Sequence, residues 1–571
     1  MKKERIFKKV VCLLLMLVLL VVCLSGCGKR ETDSKGNNPG SSTESDNKNN
    51  DDSHSSAKDP EAEGNEADDV LEELPLPLCE EKQEISVWTT WSNSYIDDMN
   101  DIPGVQHMEE VTNVHVNWMS VSLAEVVEKF GLLLASGNLP DLMYTGNIAE
   151  YPGGVEKGVS DGIFADCTDL VEKWMPNYRR LREGSETLMR DTSTDSGSLA
   201  CLYTMNSNDH EVVAERTWNG LAYRADLMES FGYTDTPVTI EDWHEMLSIA
   251  KKNGIEAPLV LGPKGTDATG AFMTAFGILP KFYLEGNEVK YGPAEPGYKQ
   301  WLDLFRQWYA EGLIDPNFTT AADSFLVDST YSVTGKSVAF HTIQIFTGDG
   351  YFQRGVSQDP NIRVVGVPHP VLNEGDTPYL YMGNPCTEAG NMIYVSATCK
   401  DPKLVAMWMD YQYTIEGMRT NFYGVEGESY TLDENGEIQL TDLVMKNPDY
   451  SPTDALGLYA RGNSISRYNW YPTFHTTDMT YAEPALDAWS SCSSDKAISI
   501  YASMGEEEGN KYNSLYIDIE TLTNEFTVKY ILGSASEEEY QNFLASLETN
   551  GLAECIGYWQ SAVDRYNVRG Q

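Results

Sequence analysis

A spacing that nucleophilic hydrolases use occurs at Gly158, Ser160 and Gly162. It matches the pattern G-x-S-x-G, in which a sharp turn between a strand and a helix exposes a reactive serine. Such a turn needs a buried strand directly before it, and the preceding residues YPGGVEK are typical of a loop instead. We therefore predict no catalytic serine at this position.

Two other segments resemble fragments of metal sites. His244-Glu245 begins like a zinc-binding helix, but Ser248 occupies the position where a second histidine would share the helix face. Residues 433–436 (DENG) begin like a calcium loop, yet they lack its spaced acidic residues and fit a β-turn better. The sequence contains neither a phosphate-cradling loop nor a dinucleotide fingerprint after a strand. We predict neither a metal nor a cofactor.

Composition narrows the classes of function. The chain has 571 residues and a formal net charge of −46, which disfavours binding to nucleic acid or to anionic lipid. The length leaves room for two or more domains. The ten cysteines are scattered, so the favoured interpretation is free buried thiols with or without one disulfide. No glycosidase carboxylate pair can be assigned, because 87 Asp and Glu residues produce many chance pairs.

The amino terminus has the features of an export signal. Five basic residues among the first nine precede the apolar run Val10–Leu24. Leu24-Ser25-Gly26-Cys27 then resembles the lipobox of bacterial lipoproteins, which implies cleavage before Cys27 and lipidation of that cysteine. The alternatives are a plain signal peptide and one transmembrane anchor, although 15 apolar residues are short for a span of about 20. We predict a signal peptide at residues 1–26 and a lipid-anchored protein on the extracellular face of the cell membrane.

Residues 27–83 should connect this anchor to the folded body. Residues 28–70 contain almost no large apolar side chain, so they cannot bury enough surface to offset their chain entropy. We interpret residues 27–83 as a disordered, lipidated tether, with the folded part beginning near Glu84.

The first elements of the folded part alternate between strand and helix. Strands are predicted at Ile85–Trp91, Val114–Trp118 and Asp141–Tyr144, because apolar and β-branched residues dominate these runs. A capping box at Ser122 and Glu125 predicts a helix between the second and third strands. This order favours βαβ units and a parallel sheet.

Further helices are predicted from their caps and apolar stripes. Thr239 with Asp242, and Ser536 with Glu539, form two more capping boxes before apolar periodicity. Such stripes are far more typical of a protein core than of a ligand site. The predicted fold class is α/β, with more helix than strand.

Several segments together resemble the family 1 extracellular solute-binding proteins, the lipoprotein receptors of sugar ABC importers. The resemblance runs from about residue 84 to 568, and its most specific part is the run Ala135–Asp141 (ASGNLPD). In the segment Gly162–Leu170 (GIFADCTDL), Cys167 replaces the leucine usual in the family. The other matching segments are Ile85–Trp91, Asn219–Leu227, Pro237–Trp243, Tyr423–Tyr430 and Tyr558–Tyr566.

The resemblance implies a two-lobed, periplasmic-binding-protein-like fold of type 2, with the ligand cleft between the lobes. Lobe I would comprise residues 84–218 and 366–414, and lobe II residues 219–365 and 415–571. The resemblance also implies a transmembrane permease pair and a cytoplasmic ATPase as partners. We expect the protein to be a monomer.

Candidate ligand-binding residues follow from this arrangement, because ligands of open α/β sheets bind beyond the carboxyl ends of strands. That rule selects Trp91 and Asn93 after the first strand, and Tyr144 and Asn147 after the third. Aromatic rings would cover sugar faces, and polar groups would satisfy hydroxyls. The crossing segments, a strand of the other lobe and a late loop add Trp218, Asn219, His341, Gln344, Asn384, Arg467, Trp470 and Tyr471.

The predicted function is capture of a carbohydrate, an oligosaccharide above all, by lobe closure and its delivery to an ABC permease, without catalysis. One alternative is a peptide or another small solute as the ligand. The others are an extracellular carbohydrate-active enzyme and a surface sensor or adhesin with the same fold.

Overall fold

A computed structural model describes residues 70–91, 93–206, 217, 219–261, 270–320, 334–344, 361–380, 388–462, 476 and 482–570. The predicted signal peptide, Cys27 and residues 28–69 of the predicted tether lie outside the described residues. Residues 70–83 are described, and they do not form a free tether: Leu78 is buried, and the backbone N–H of Leu71 donates to the Lys173 carbonyl at 2.9 Å. Residues 67–571 form one compact unit. None of the described helices combines the length and the apolar character that crossing a membrane requires.

The strands and helices are numbered along the chain. The strands are β1 (Gln83–Thr90), β2 (Val114–Val121), β3 (Leu142–Tyr144), β4 (Leu202–Met205), β5 (Asn219–Arg224), β6 (Leu259–Val260), β7 (Phe282–Glu285), β8 (Glu288–Tyr291), β9 (Ala339–Gln344), β10 (Val364–Gly366), β11 (Ala389–Val395), β12 (Tyr430–Leu432) and β13 (Ile438–Leu440). The helices are α1 (Pro103–Thr112), α2 (Val126–Ser136), α3 (Gly154–Ser160), α4 (Thr168–Trp174), α5 (Pro176–Glu183), α6 (Glu186–Thr192), α7 (Ala225–Ser230), α8 (Ile240–Lys252), α9 (Gly270–Met273), α10 (Pro296–Ala310), α11 (Pro402–Tyr411), α12 (Ile415–Tyr423), α13 (Asp442–Met445), α14 (Pro452–Leu456), α15 (Ala482–Ser490), α16 (Glu506–Ile531), α17 (Glu537–Thr549) and α18 (Leu552–Tyr566).

The first sheet has the strand order β2-β1-β3-β11-β4. β1 pairs in parallel with β2 and β3, which confirms the predicted parallel sheet for the first three strands. β11 runs antiparallel to both β3 and β4, which the sequence did not predict. Side chains on both faces of β1 are buried, as expected for a strand covered by helices on either side.

Most predicted helix boundaries are confirmed. Capping boxes begin α8 at Thr239 and α17 at Ser536, and Gly137 ends α2 with a left-handed φ of 65°. The start of α2 is an exception. The predicted capping box does not form: the Ser122 hydroxyl donates to the Glu125 carboxylate at 3.0 Å, a turn intervenes, and the helix begins only at Val126 without a side-chain cap. The local signal therefore located the helix but not its first residue.

The second sheet has the strand order β10-β5-β9-β6 and its own core. β5 is antiparallel to its two neighbours, whereas β6 and β9 are parallel. The core beneath it contains the buried indoles of Trp243, Trp301 and Trp308. The long helix α16 closes this core, and Tyr298 and Thr527 share a buried hydrogen bond of 2.7 Å. The two sheets therefore pack over separate cores.

Residues 415–462 pack against the first sheet's side of the molecule. The backbone N–H of Gly104, in the first turn of α1, donates to the carbonyl of Tyr459 at 3.0 Å. A Cβ at Gly104 would lie 2.8 Å from the Thr420 carbonyl, so glycine permits this close approach. These contacts favour grouping residues 415–462 with lobe I rather than with lobe II, where the sequence resemblance had placed them.

The last helix, α18, contacts both halves of the molecule, that is, the part built on the first sheet and the part built on the second. Leu552 and Cys555 lie in the second core. Beyond the other end of the helix, Arg569 bonds Asp195 on the first sheet's side at 2.7 Å, and Arg565 bonds the same carboxylate at 2.8 Å. We refer to Asp195, Arg565 and Arg569 as the C-terminal clasp. It ties the end of the chain to the first half of the protein.

A tryptophan packs where the chain enters and leaves the second sheet. Trp489 of α15 is fully buried, and its indole N–H donates to the Leu221 carbonyl at 2.8 Å. A Cβ at Gly220 of β5 would lie 2.7 Å from the indole ring, and one at Gly366 of β10 would lie 3.1 Å from it. Gly220 therefore admits the ring, and Gly366 admits the neighbouring Ala485 of the same helix, whose Cβ would lie 2.4 Å from an added Cβ.

Gly220→Ala should destabilise the protein by about 1–3 kcal/mol, because the new methyl group collides with a buried ring. The control is Gly557→Ala in α18, where a Cβ meets nothing within 4 Å and alanine should stabilise the helix by about 0.5–1 kcal/mol. Denaturant unfolding of both variants measures the difference. Equal stabilities would show that the Trp489 ring moves aside.

Candidate functional site

The carboxyl ends of β1, β2 and β3 form one edge of the first sheet. In the parallel register Thr90 lies beside Val121, and Thr89 lies beside Tyr144. We call this border the carboxyl edge. Trp91 follows β1 directly, Tyr144 is the last residue of β3, and Asn147 lies in the loop after it, so the structure brings the candidates predicted after the first and third strands to one place.

Tyr144 and Asn147 use their polar groups to join this edge to β11. The Tyr144 side chain is 4% exposed, and its hydroxyl accepts a hydrogen bond from Asn391 at 2.9 Å. Burial raises the pKa of Tyr144 to about 12, so the phenol is neutral at physiological pH. Asn147 has a left-handed φ of 55°, and its Oδ1 accepts from the Met392 N–H at 2.8 Å. Sequence reasoning missed Asn391, because no local pattern marks it.

Asn93 connects two loops at the carboxyl edge. Its Oδ1 accepts from the N–H groups of Tyr95 at 2.8 Å and Ile96 at 3.3 Å. Its Nδ2 donates to the Gly457 carbonyl at 2.9 Å. Trp91 is partly buried against the first core, and its backbone N–H donates to the Val121 carbonyl at 2.9 Å. The Asn93 amide therefore holds two loops of the protein in place, whatever contact it makes with a ligand.

For three predicted residues on the second sheet, the structure describes the position of the backbone. Asn219 on β5 is the direct partner of Gln344 on β9, so the structure brings these two predicted positions together. His341 lies on the same strand β9. The side chains of Asn219, His341 and Gln344 lie outside the described residues, as do Trp218, Asn384, Arg467, Trp470 and Tyr471 altogether.

A buried arginine that sequence reasoning missed lies just before the late loop. Arg461 is 3% exposed, and it donates to the side-chain oxygens of Asn421 at 2.5 Å and Gln412 at 3.0 Å. Its guanidinium lies over the rings of Trp118 at 5.1 Å and Trp408 at 6.0 Å. Burial lowers its pKa to about 9, so it still carries its charge at neutral pH. The residue ties β2, the end of α11 and α12 together.

Comparison with known proteins decides the family. A model of the bacterial extracellular solute-binding proteins matches residues 102–419. The chain belongs to this family. The fructooligosaccharide ABC transporter substrate-binding protein FusA of Streptococcus pneumoniae is 21% identical to this solute-binding protein over 522 residues, which cover 87% of this chain and 93% of FusA.

Solved structures show the fold of this solute-binding protein. An HMO-binding, ABC-transporter-associated solute-binding protein from Bifidobacterium longum infantis aligns with a TM-score of 0.67 at 17% identity, over 85% of this chain and 99% of that one. FusA of S. pneumoniae in complex with kestose aligns with a TM-score of 0.63 at 17% identity, over the same shares. The predicted family and the two-lobed, periplasmic-binding-protein-like fold class are confirmed.

The three segments that resemble hydrolase or metal-binding motifs have ordinary structural contacts in this solute-binding protein. Ser160 is the last residue of a helix and donates to the Lys157 carbonyl at 2.9 Å. His244 pairs with Glu311 at 2.6 Å. Residues 433–436 form the turn between β12 and β13, as predicted. Within the described part of the chain, no group of three or more His, Cys, Asp or Glu side chains could hold a metal ion.

Arg461→Met should lower the free energy of unfolding by about 1–3 kcal/mol, because the buried Asn421 oxygen loses its charged donor. Arg180→Met is the control, since Arg180 is exposed and its bond to Asn177 is long, at 3.4 Å. The control should change stability by less than about 0.5 kcal/mol. Chemical denaturation compares the two, and equal losses would contradict the anchoring role of Arg461.

Proposed function

We propose that this solute-binding protein captures an oligosaccharide between its lobes and delivers it to an ABC permease. The observation that carries the proposal is the likeness to FusA, a fructooligosaccharide-binding protein of an ABC transporter, over 87% of this chain. The family match over residues 102–419 contains strands of both sheets, which supports a ligand site formed by the two of them.

The carboxyl edge has chemistry suited to a sugar. The partly buried Trp91 offers a ring for the C–H face of a sugar, and the nearby amides offer donors and acceptors for its hydroxyls, whereas the buried Tyr144 supports this edge from beneath. The formal net charge of −46 disfavours an acidic ligand. A neutral oligosaccharide satisfies both conditions.

Closure of the two lobes would be the functional motion. A ligand that contacts both sheets only in the closed form shifts the population towards that form. The lobe boundaries proposed here are the predicted ones, 84–218 with 366–414 and 219–365 with 415–571, amended by the packing of residues 415–462 on the first half. Recognition of the closed, loaded form by the permease completes the cycle, with no catalytic step.

The principal test is thermal unfolding of residues 70–571 with neutral oligosaccharides, peptides and polyamines. A ligand that binds only the folded state at 100 times its Kd stabilises the protein by about 2.7 kcal/mol, which raises Tm. We expect a shift with one series of oligosaccharides and none with the other compounds. A shift with a peptide or polyamine alone would replace the ligand class, and consumption of a sugar polymer would establish an enzyme instead.

We also propose that the protein is a monomer anchored on the extracellular face of the cell membrane through lipid on Cys27. Cys27→Ala should abolish both signal cleavage and lipid labelling when the full chain is expressed in a bacterium that processes lipoproteins. Cys23→Ala is the matched control, because it removes a cysteine from the apolar run of the same signal but leaves Cys27 in place. Fractionation with metabolic labelling by an alkynyl fatty acid measures the outcome, and a labelled Cys27→Ala protein would refute the anchor.

A further inference from the structure

Two tyrosines from distant parts of the chain meet near the carboxyl edge. The ring centroids of Tyr95 and Tyr450 lie 4.6 Å apart, with 59° between the ring planes. Tyr450 rests on the small core formed by residues 444–460. Tyr95 is 48% exposed, so nearly half of a large aromatic side chain faces solvent. Core packing does not account for that exposed face.

Hydrogen bonds fix both loops that carry the rings. Asn93 holds the Tyr95 loop through its Oδ1 and holds the Gly457 carbonyl through its Nδ2. On the other side, Asn447 accepts from the N–H of Tyr450 at 3.2 Å. The two rings are therefore presented by a preorganised scaffold, which reduces the entropy lost when a ligand binds them.

The pair also lies on the ligand side of the sheet. Tyr95 follows β1 beyond its carboxyl end, where Trp91 and the neighbouring Tyr144 also lie. The first turn of α1 begins soon afterwards, and the contacts of Gly104 bring residues 415–462 to the same side. An exposed ring pair at this border extends the surface on which a bound oligosaccharide would lie.

The surroundings of the pair favour a neutral sugar. Residues 93–101 (NSYIDDMND) and 447–454 (NPDYSPTD) contain several carboxylates and no lysine or arginine. An acidic sugar would be repelled, whereas the C–H face of a neutral hexose can stack on an exposed tyrosine ring.

We propose that Tyr95 and Tyr450 form an outer subsite, which binds a sugar residue at the protruding end of a long oligosaccharide. This inference rests on the proposed function, and it adds a preference for chain length. Short oligosaccharides would fill the cleft without reaching the pair, and longer ones would gain affinity from stacking on it.

The test uses ladders of fructo-, malto-, xylo- and manno-oligosaccharides from disaccharide to hexasaccharide, with Kd measured by calorimetry. Tyr95→Ala should raise the Kd of the longest oligosaccharides that bind by about three- to tenfold, in line with the strength of one aromatic contact. The Kd of the shortest oligosaccharide that binds should not change. Tyr95→Phe retains the ring and should bind like the natural protein. Tyr558→Ala, in the distant helix α18, is the control for loss of a tyrosine.

Three results would overturn the subsite. Equal weakening at every length would place Tyr95 in the cleft itself, and unchanged affinity at every length would leave the pair without a role in binding. A lower Tm of Tyr95→Ala with unaltered length dependence would show that the pair only fastens residues 415–462 to the sheet. Absence of sugar binding by the natural protein would instead overturn the proposed function, and the subsite with it.

Discussion

The packing of Trp489 against two glycine-bearing strands is the constraint on which the two-sheet arrangement depends. The chain leaves the first sheet after β4, enters the second at β5, and returns after β10 to form β11. Trp489 covers both crossing strands, and its indole N–H satisfies the Leu221 carbonyl. Because Gly220 and Gly366 have no Cβ, the Trp489 ring approaches the first strand closely and Ala485 of the same helix approaches the second. Dense packing at this point fixes where both strands enter the second core.

A second constraint brings distant chain to the carboxyl edge. Arg461 joins three elements through bonds to Gln412 and Asn421 and through its contact with Trp118. Burial of a charge costs free energy unless polar partners compensate for it, so Arg461 holds its place only where the Gln412 and Asn421 oxygens meet it. The arrangement it specifies places residues 415–462 beside the loop of Asn93. The candidate site therefore depends on contacts between segments that lie several hundred residues apart in the sequence.

Local sequence patterns predicted individual strands and helix caps well. They did not predict how strands pair or which residues distant in sequence come into contact. Strands β1 to β3 and the caps of α8 and α17 were found because their signals lie within a few residues. The antiparallel direction of β11 was missed, since a short strand carries no mark of its partner. The bond from Asn93 to Gly457 spans 364 positions of sequence. Asparagine after a strand correctly indicated the carboxyl edge, but no local pattern shows that its amide holds a second loop.

The C-terminal clasp limits how the proposed closure can proceed. One end of α18 is embedded in the second core, and Arg565 and Arg569 at the other end share the Asp195 carboxylate. The Arg569 side chain is only 4% exposed, so separating it from Asp195 would remove the carboxylate that balances a buried charge, although its bonds to Tyr501 and Ser503 would remain. A rotation that keeps the clasp intact costs less free energy than one that breaks it. The lobes should therefore turn about an axis near the end of α18, so that the carboxyl edge moves relative to the second sheet while the clasp stays closed.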